Sequence, residues 1–355
     1  MKSNKTIITI LAFVAGAAVL FGGSFLVAKL FTDKLNINET IENAGEAISR
    51  TEIEASNSVR ESIIEDANAK PTMSFNGHSY AYNENLDVLL IIGLDDRDII
   101  DYEAQGKNKN YACADLLLVA VFDKTDKTYT LIQINRDTMA ELMTYDRLGN
   151  FAGMKTKQIS LAHTYRTRHE DACVDTEFAV SHLLQDVEIS NYFALTMDAI
   201  PILNDSVGGV TVTIEDDFSQ IDESLVMGQT VTLHGSQAET FVRSRGGIVN
   251  SPTNINRMNR QRVYMSELLV LLGQKTSSSN SFAFDLFDKL SPYMITDCSY
   301  DQLSAYISQF SGYTLDKIVT PEGHTEIGDN DLMEFYIDDS SLKEIIINTF
   351  YTKVN

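Results

Sequence analysis

Two stretches limit what this chain can fold into more than any others, LDVLLIIG (86–93) and DLLLVAVFD (115–123). Both are near-continuous apolar runs of strand length. A strand with one wet face alternates apolar and polar residues, whereas one without alternation is covered on both faces. TYTLIQI (128–134) follows at hairpin distance across the charged turn Lys124–Lys127, which makes the sheet mixed rather than purely parallel. YFALT (192–196) and GVTVTI (209–214) read as further strands. Helical patterns cover 174–185, Ile200–Leu203, 256–273, 282–290, 300–310 and 340–350. Strands interleaved with helices predict an α/β fold, a three-layer α-β-α domain around a mixed central sheet. With 355 residues, 44% of them hydrophobic, the chain has enough apolar surface for such a core.

Ahead of that domain the pattern is different. Thr6–Ala28 is a run of 23 residues without a charge. As a helix it spans roughly 34 Å, enough to cross a bilayer core. It is longer than the apolar region of about 7–15 residues in a cleaved signal peptide, and no small-x-small cleavage site follows it. Lys2 and Lys5 precede the run and Lys29 and Lys34 follow it, so flanking charge barely decides the orientation. The short leading tail cannot hold a domain, and the other apolar stretches are strand-length. The expected organisation is therefore a cytoplasmic tail (1–5), a single-pass transmembrane signal-anchor (6–31), an acidic extracellular stalk (32–85) and a domain at 86–355 outside the cell membrane. The stalk reads as a solvated helical spacer; a coiled-coil dimer would have only a thin apolar seam. A formal charge of −22 argues against nucleic acid as a partner. Three cysteines, Cys113, Cys173 and Cys298, are too few for a disulfide scaffold and match no zinc spacing.

Common hydrolase and nucleotide signatures are absent: no Gly-x-Ser-x-Gly, no His-Glu-x-x-His, no Walker A loop. Arginine carries the signal instead. Of twelve in the chain, Arg243, Arg245, Arg257, Arg260 and Arg262 fall within twenty residues, and no acid lies between Glu239 and Glu267. A basic loop paired to the protein's own carboxylates is the plainer reading. Against it, Arg243 and Arg245 on an apparent strand share a face, as do Arg257 and Gln261 on a helix. Converging guanidiniums suit a multiply charged anion, phosphate above all. A second group sits at strand ends, where α/β sheets bind ligands: Asp95 and Arg97, then Asp115, then Arg136-Asp137. Asp95 and Asp115 have the oxygen chemistry for Mg²⁺, although an Asp beside an Arg is also an ordinary ion pair.

In order along the chain, GLDDR (93–97), AD (114–115), NRDT (135–138), NDSVGGV (204–210), GQTVTLHGSQAETFVRSR (228–245) and NRMNRQR (256–262) resemble the LytR-CpsA-Psr family. The resemblance covers roughly 86–270. It implies an apolar groove for a polyprenyl chain in a membrane-anchored transferase. That phosphotransferase would move a glycopolymer from its polyprenyl-pyrophosphate carrier to peptidoglycan in a Gram-positive-type wall. Breaking a sugar–phosphate bond leaves polyprenyl pyrophosphate, whose charge an arginine cluster with Mg²⁺ (or Mn²⁺) stabilises. By motif, Asp95 and Asp115 would hold the metal. Arg97, Arg136, Arg243, Arg245, Arg257 and Gln261 would clamp the pyrophosphate, and a site aspartate would serve as base. Asp115, Arg136, Arg243, Arg245, Arg257 and Gln261 form the implied catalytic set.

Two positions depart from the family's pattern. Where it usually reads Arg-Ser-Asp, this chain has Cys113-Ala114-Asp115, and where it usually has an acid three residues before Arg257, this chain has Asn254. Arg147, Arg166 and Arg168 are candidates to replace the lost cation. A Cys113–Cys173 disulfide between two loops flanking the site would rigidify it; unpaired thiols are the alternative. The departures leave open a non-catalytic polyprenyl-phosphate or wall-binding module, and a membrane-bound regulator of envelope functions.

Overall fold

Alternate side chains of the first apolar run enter two different cores. Leu89 and Ile91 face one, and Val88, Leu90 and Ile92 face the other. A computed structural model describes residues 72–354 except 108, 246–247, 249–252, 279–281, 311 and 330–331. The expected tail, the anchor and the stalk up to residue 71 lie outside the described residues. In chain order the strands and helices are β1 (Met73–Phe75), β2 (His78–Tyr82), β3 (Leu86–Leu94), β4 (Ala114–Asp123), β5 (Thr128–Ile134), β6 (Met139–Tyr145) and β7 (Phe151–Gln158). Next come α1 (His169–Leu183), β8 (Asn191–Leu195), α2 (Ala199–Val207), β9 (Val210–Thr213), β10 (Thr230–Leu233), α3 (Ser236–Arg243), α4 (Asn254–Ser278) and α5 (Phe282–Leu290). The chain closes with β11 (Met294–Thr296), α6 (Tyr300–Phe310), β12 (Thr314–Val319), β13 (Gly323–Ile327), β14 (Met333–Ile337), α7 (Asp339–Phe350) and β15 (Tyr351–Lys353).

The central sheet runs β11-β8-β3-β4-β5-β12. β4 runs antiparallel to both β3 and β5, while β8 joins β3 and β12 joins β5 in parallel, so the sheet is mixed. Helices α2 to α6 cover one face, with Phe122 and Phe310 stacked 4.1 Å apart between ring centres. Helices α1 and α7 cover the other together with β6, through Ala179, Val180, Ile346, Phe350 and Leu142. Each large apolar side chain buried this way contributes about 1.5–3 kcal/mol, which is why both faces are predominantly apolar. The two-faced burial expected from the apolar runs is thus the organising feature of the fold.

Three readings need correction. Residues 73–82, read as stalk, form β1 and β2, and β2 pairs with β15, so the folded unit begins before Leu86. Short strands with polar alternation carry too little apolar signal to be recognised ahead of their partner. GVTVTI does contain a strand, but it pairs only with β10 and stays outside the central sheet. Cys173 lies inside α1 rather than in a loop, is fully buried and is unbridged, and Cys113 and Cys298 are free thiols too. The Cys173 sulfur faces His163, whose other ring nitrogen meets the Ala112 carbonyl at 2.9 Å.

β3 and β4 set the geometry of the site end. The register shifts between Gly93 and Leu94, a bulge that turns the chain off the strand just before Asp95. Gly93 is required there, because a Cβ on it would lie 2.8 Å from Leu116 Cβ.

Candidate active site

The bulge delivers Asp95 to the start of β4. Its Oδ1 accepts the Cys113 amide at 2.6 Å, and its own amide donates to the Cys113 carbonyl at 3.1 Å. Position 113 therefore supports the site through its backbone, while its thiol sits beside Arg136. Burial raises the Asp95 pKa above the ordinary carboxylate value; the Cys113 amide opposes this and the Asp115 charge adds to it.

Asp115 is shared by two guanidiniums. Arg136, just past β5, donates Nη1 to Oδ1, and Arg257, in the first turn of α4, donates Nη1 to Oδ2 at 2.8 Å. Arg257 is only 3% exposed, and its Nε and Nη2 have no hydrogen-bond partner among the described residues. Burial pulls its pKa below the ordinary guanidinium value against the attraction of Asp115, and the charges of Arg245 and Arg136 pull the same way. A buried N–H left unpaired costs about 1–3 kcal/mol, so this arrangement is suited to an incoming anion.

A second carboxylate bridges another pair. Glu239 Oε1 accepts Arg97 Nη2 at 2.8 Å and Arg243 Nη1 at 3.0 Å, and Arg97 also reaches Asp198 at 2.7 Å. Arg245 belongs to the positive field that, with Arg136 and Arg257, opposes the burial that raises the Asp137 pKa. Gln261 accepts Gln133 Nε2 on its Oε1 at 3.1 Å and donates to the Val242 carbonyl at 3.3 Å. Asn254 Nδ2 donates to Asn135 Oδ1 at 2.6 Å, a carboxamide pair where the family usually has an acid.

Arg243 and Arg245 do not share a strand face. Arg243 ends α3, Ser244 is extended, and Arg245 lies in the following loop. The Phe-Val-Arg-Ser-Arg run looks like a strand, but Ala238, Phe241 and Val242 form a helical apolar stripe that packs into the core. The proposed replacements for the lost cation are engaged elsewhere. Arg166 lies 4.4 Å over the Tyr145 ring and pairs with Asp175, Arg168 pairs with Glu170, and Arg147 lies in the turn beyond β6. Glu239, Asp198 and Gln133 were missed from sequence. Only Glu239 left a signal, its helical spacing of four from Arg243.

Beneath the charged cluster lies a cavity of about 210 Å³ between the sheet and helices α2, α4 and α5. Asp95, Asp115, Arg243, Arg257 and Gln261 line it, but the rest is almost wholly apolar, with Leu118, Phe193, Leu203, Leu268 and Leu272 among its walls. Among the described residues no three His, Cys, Asp or Glu side chains gather as a metal site. Asp95 and Asp115 are close enough for one charge to raise the other's pKa. Two carboxylates suffice for Mg²⁺ when phosphate oxygens and water complete its shell. Asp115 retains lone pairs beyond its two arginines, so this pair fits such an ion.

An apolar cavity headed by carboxylate-bridged arginine pairs defines a receptor for an amphiphile with a multiply charged anionic head. The profile of the LytR_cpsA_psr family matches residues 48–348, and the chain belongs to that family. It is 27% identical over 258 residues to the polyisoprenyl-teichoic acid–peptidoglycan teichoic acid transferase TagV of Bacillus subtilis, covering 70% of this chain and 61% of that protein. It is 28% identical over 217 residues to the TagU transferase of Enterococcus faecalis, covering 61% and 62%. The matched region is thus less than two thirds of either relative's length. Among solved structures, B. subtilis TagV superposes with a TM-score of 0.55 at 22% identity, over 75% of this chain and 96% of that one. The gbs0355 protein of Streptococcus agalactiae reaches 0.58 at 17% identity, over 75% and 86%. These likenesses establish the shared fold.

Proposed function

We propose that this protein transfers a glycopolymer from a polyprenyl-pyrophosphate carrier to peptidoglycan, from a single-pass position in the cell membrane with its domain outside. The observation that carries this reading is the buried Arg257, sharing Asp115 with Arg136 and holding two unpaired donor atoms at an otherwise apolar cavity. The polyprenyl chain occupies the cavity, and its diphosphate meets Arg136, Arg243, Arg245 and Arg257. The relatives' names point to a teichoic-acid-type polymer as donor. Among the described residues no helix is long and apolar enough to cross a membrane, so anchoring rests on the uncharged run at Thr6–Ala28.

Phosphorus, rather than the sugar carbon, is the centre under attack. Sugar-carbon chemistry relies on carboxylates free to act as acid and nucleophile. Here the oxygens of Asp115 are engaged by guanidiniums, and positive groups dominate the head of the cavity. The acceptor hydroxyl forms a new bond to the glycan-bearing phosphorus, the P–O–P bond breaks, and polyprenyl monophosphate leaves. The hydroxyl proton passes to Asp95, whose raised pKa and unheld second oxygen suit a base. Arg136 and Arg257 stabilise charge on the transferring group, and Arg243 and Arg245 that on the leaving phosphate. Mg²⁺, held by Asp95 and Asp115, would supply Lewis-acid polarisation of the phosphoryl oxygens.

The test is transfer by full-length protein in nanodiscs from a polyprenyl-diphosphate glycan to a peptidoglycan oligosaccharide. Glycan-phosphate on the acceptor with release of polyprenyl monophosphate is expected. Substrate binding without transfer would make the protein a carrier-lipid module instead.

A further inference from the structure

The arginine-rich stretch contains a guanidinium that the anion site does not use. Arg260 is 6% exposed and is absent from the cavity walls. It lies on a neighbouring face of α4, in a polar cleft shared with Asp216, Asn256 and Asn259. Its three nitrogens go to three places. Nε donates to the Phe241 carbonyl at 2.9 Å, Nη2 donates to the Ser244 carbonyl, and Nη1 pairs with Asp216. The guanidinium also lies 5.5 Å over the Phe218 ring, and that ring packs against Phe241 at 6.0 Å.

The two carbonyls are the important part. The last turn of a helix leaves carbonyls without intrahelical donors, and a cation there also meets the negative end of the helix dipole. Phe241 and Ser244 close α3 and bracket Arg243, and Ser244 immediately precedes Arg245. Gln261, the next residue along α4, takes the Val242 carbonyl between them. Arg243 has a 41% exposed side chain tied, among the described residues, at Glu239, so its reach depends on where its backbone is held. Misplacing a charged group by about an ångström can cost about a hundredfold in rate.

We propose that Arg260, oriented by Asp216, is a positioning residue for the anion clamp: it fixes the end of α3 so that Arg243 and Arg245 meet the diphosphate together. Only a planar fork fills the role, since lysine has the charge but cannot span two carbonyls and a carboxylate at once. This inference rests on the reading of Arg243 as a diphosphate ligand, and the experiment separates the two.

The experiment is a double-mutant cycle on the full-length protein in detergent micelles, with farnesyl diphosphate as probe and calorimetric Kd as readout. In otherwise unchanged protein, Arg243→Ala should weaken binding roughly 10–150-fold. In an Arg260→Lys background, already about tenfold weaker, the same change should cost about tenfold less than it does in the parent. Arg136→Ala should keep its full effect in both backgrounds, because Arg136 is held by Asp115 and not by α3. A general loss of stability would weaken both arms alike. If Arg243→Ala costs the same factor with and without Arg260, the positioning role is overturned. If Arg243→Ala has no effect even in otherwise unchanged protein, the clamp reading falls and this inference with it. Should Arg260→Lys fail to fold, Asp216→Asn keeps the guanidinium while loosening its aim, and the same cycle applies.

Discussion

Replacing Asp115 by Asn removes one negative charge that two arginines share. In the empty protein, Arg257 then keeps a single neutral acceptor and still has two unpaired donor atoms while 3% exposed. Breaking a buried ion pair from one side costs about 3–5 kcal/mol. The amide oxygen of Asn still accepts one hydrogen bond, which recovers about 1–1.5 kcal/mol. The expected net loss is about 2–4 kcal/mol, read by urea unfolding of the full-length protein in micelles. Anion binding should then reverse the defect. Inorganic pyrophosphate binds only the folded state, and at about a hundred times its Kd it returns roughly 2.7 kcal/mol. The vacated guanidiniums should bind it more tightly in Asp115→Asn than in the parent, so added pyrophosphate should close most of the gap. If pyrophosphate stabilises both proteins equally, Arg136 and Arg257 do not form an anion site. If Asp115→Asn is as stable as the parent, the sharing of that carboxylate carries no energetic weight.

Asp95→Asn should abolish Mg²⁺-dependent transfer with circular dichroism unchanged. In the metal-free parent burial raises the Asp95 pKa and Mg²⁺ opposes it, so the pH limb of the rate should move to lower pH as Mg²⁺ is added. Asn254→Asp should destabilise rather than accelerate, by about 1–3 kcal/mol, because it sets a carboxylate against Asn135 Oδ1, which already accepts the Asp137 amide; calorimetric melting checks this. Leu203→Trp should fill the cavity, weakening farnesyl diphosphate while sparing inorganic pyrophosphate in parallel titrations. Burial holds His163 neutral, its pKa lowered from 6.5 to about 3. Between those values the unfolded chain binds the extra proton, so stability falls as pH drops below 6.5 and the loss levels off near 3, at about 1.4 kcal/mol per unit between. Urea unfolding across that range should flatten in His163→Gln.

The elements legible in sequence were those whose burial is continuous. β3, β4 and β5 announce themselves because both faces are covered, and α4 because its stripe is long. Asp95, Asp115, Arg136 and Arg257 were legible because strand ends and a helix start place them with little freedom. Arg243 and Arg245 were built on the wrong element. A short Phe-Val-Arg-Ser-Arg run satisfies a period of two as well as one helical turn, and only the packing of Phe241 decides between them. Arg260 and Arg257 look alike in sequence, yet only Arg260 meets the carbonyls at the end of α3. That distinction depends on α3, which lies apart from α4 in the chain. The bridging acid Asp198 was invisible, and Glu239 showed only its spacing from Arg243, since their shared partner Arg97 is over a hundred residues away.

The pairing of β2 with β15 has a consequence for how the protein is made. Thr352 meets Ala81 across 271 positions of sequence, so β2 waits for a partner strand made long after it. Contacts this distant form late, because the chain between them must be ordered first. As the chain emerges, β1 and β2 stay unpaired on that edge until α7 has docked and drawn β15 into place. Closure of this clip therefore reports that the whole domain has been delivered. A chain without β15 leaves that strand edge open to other partners.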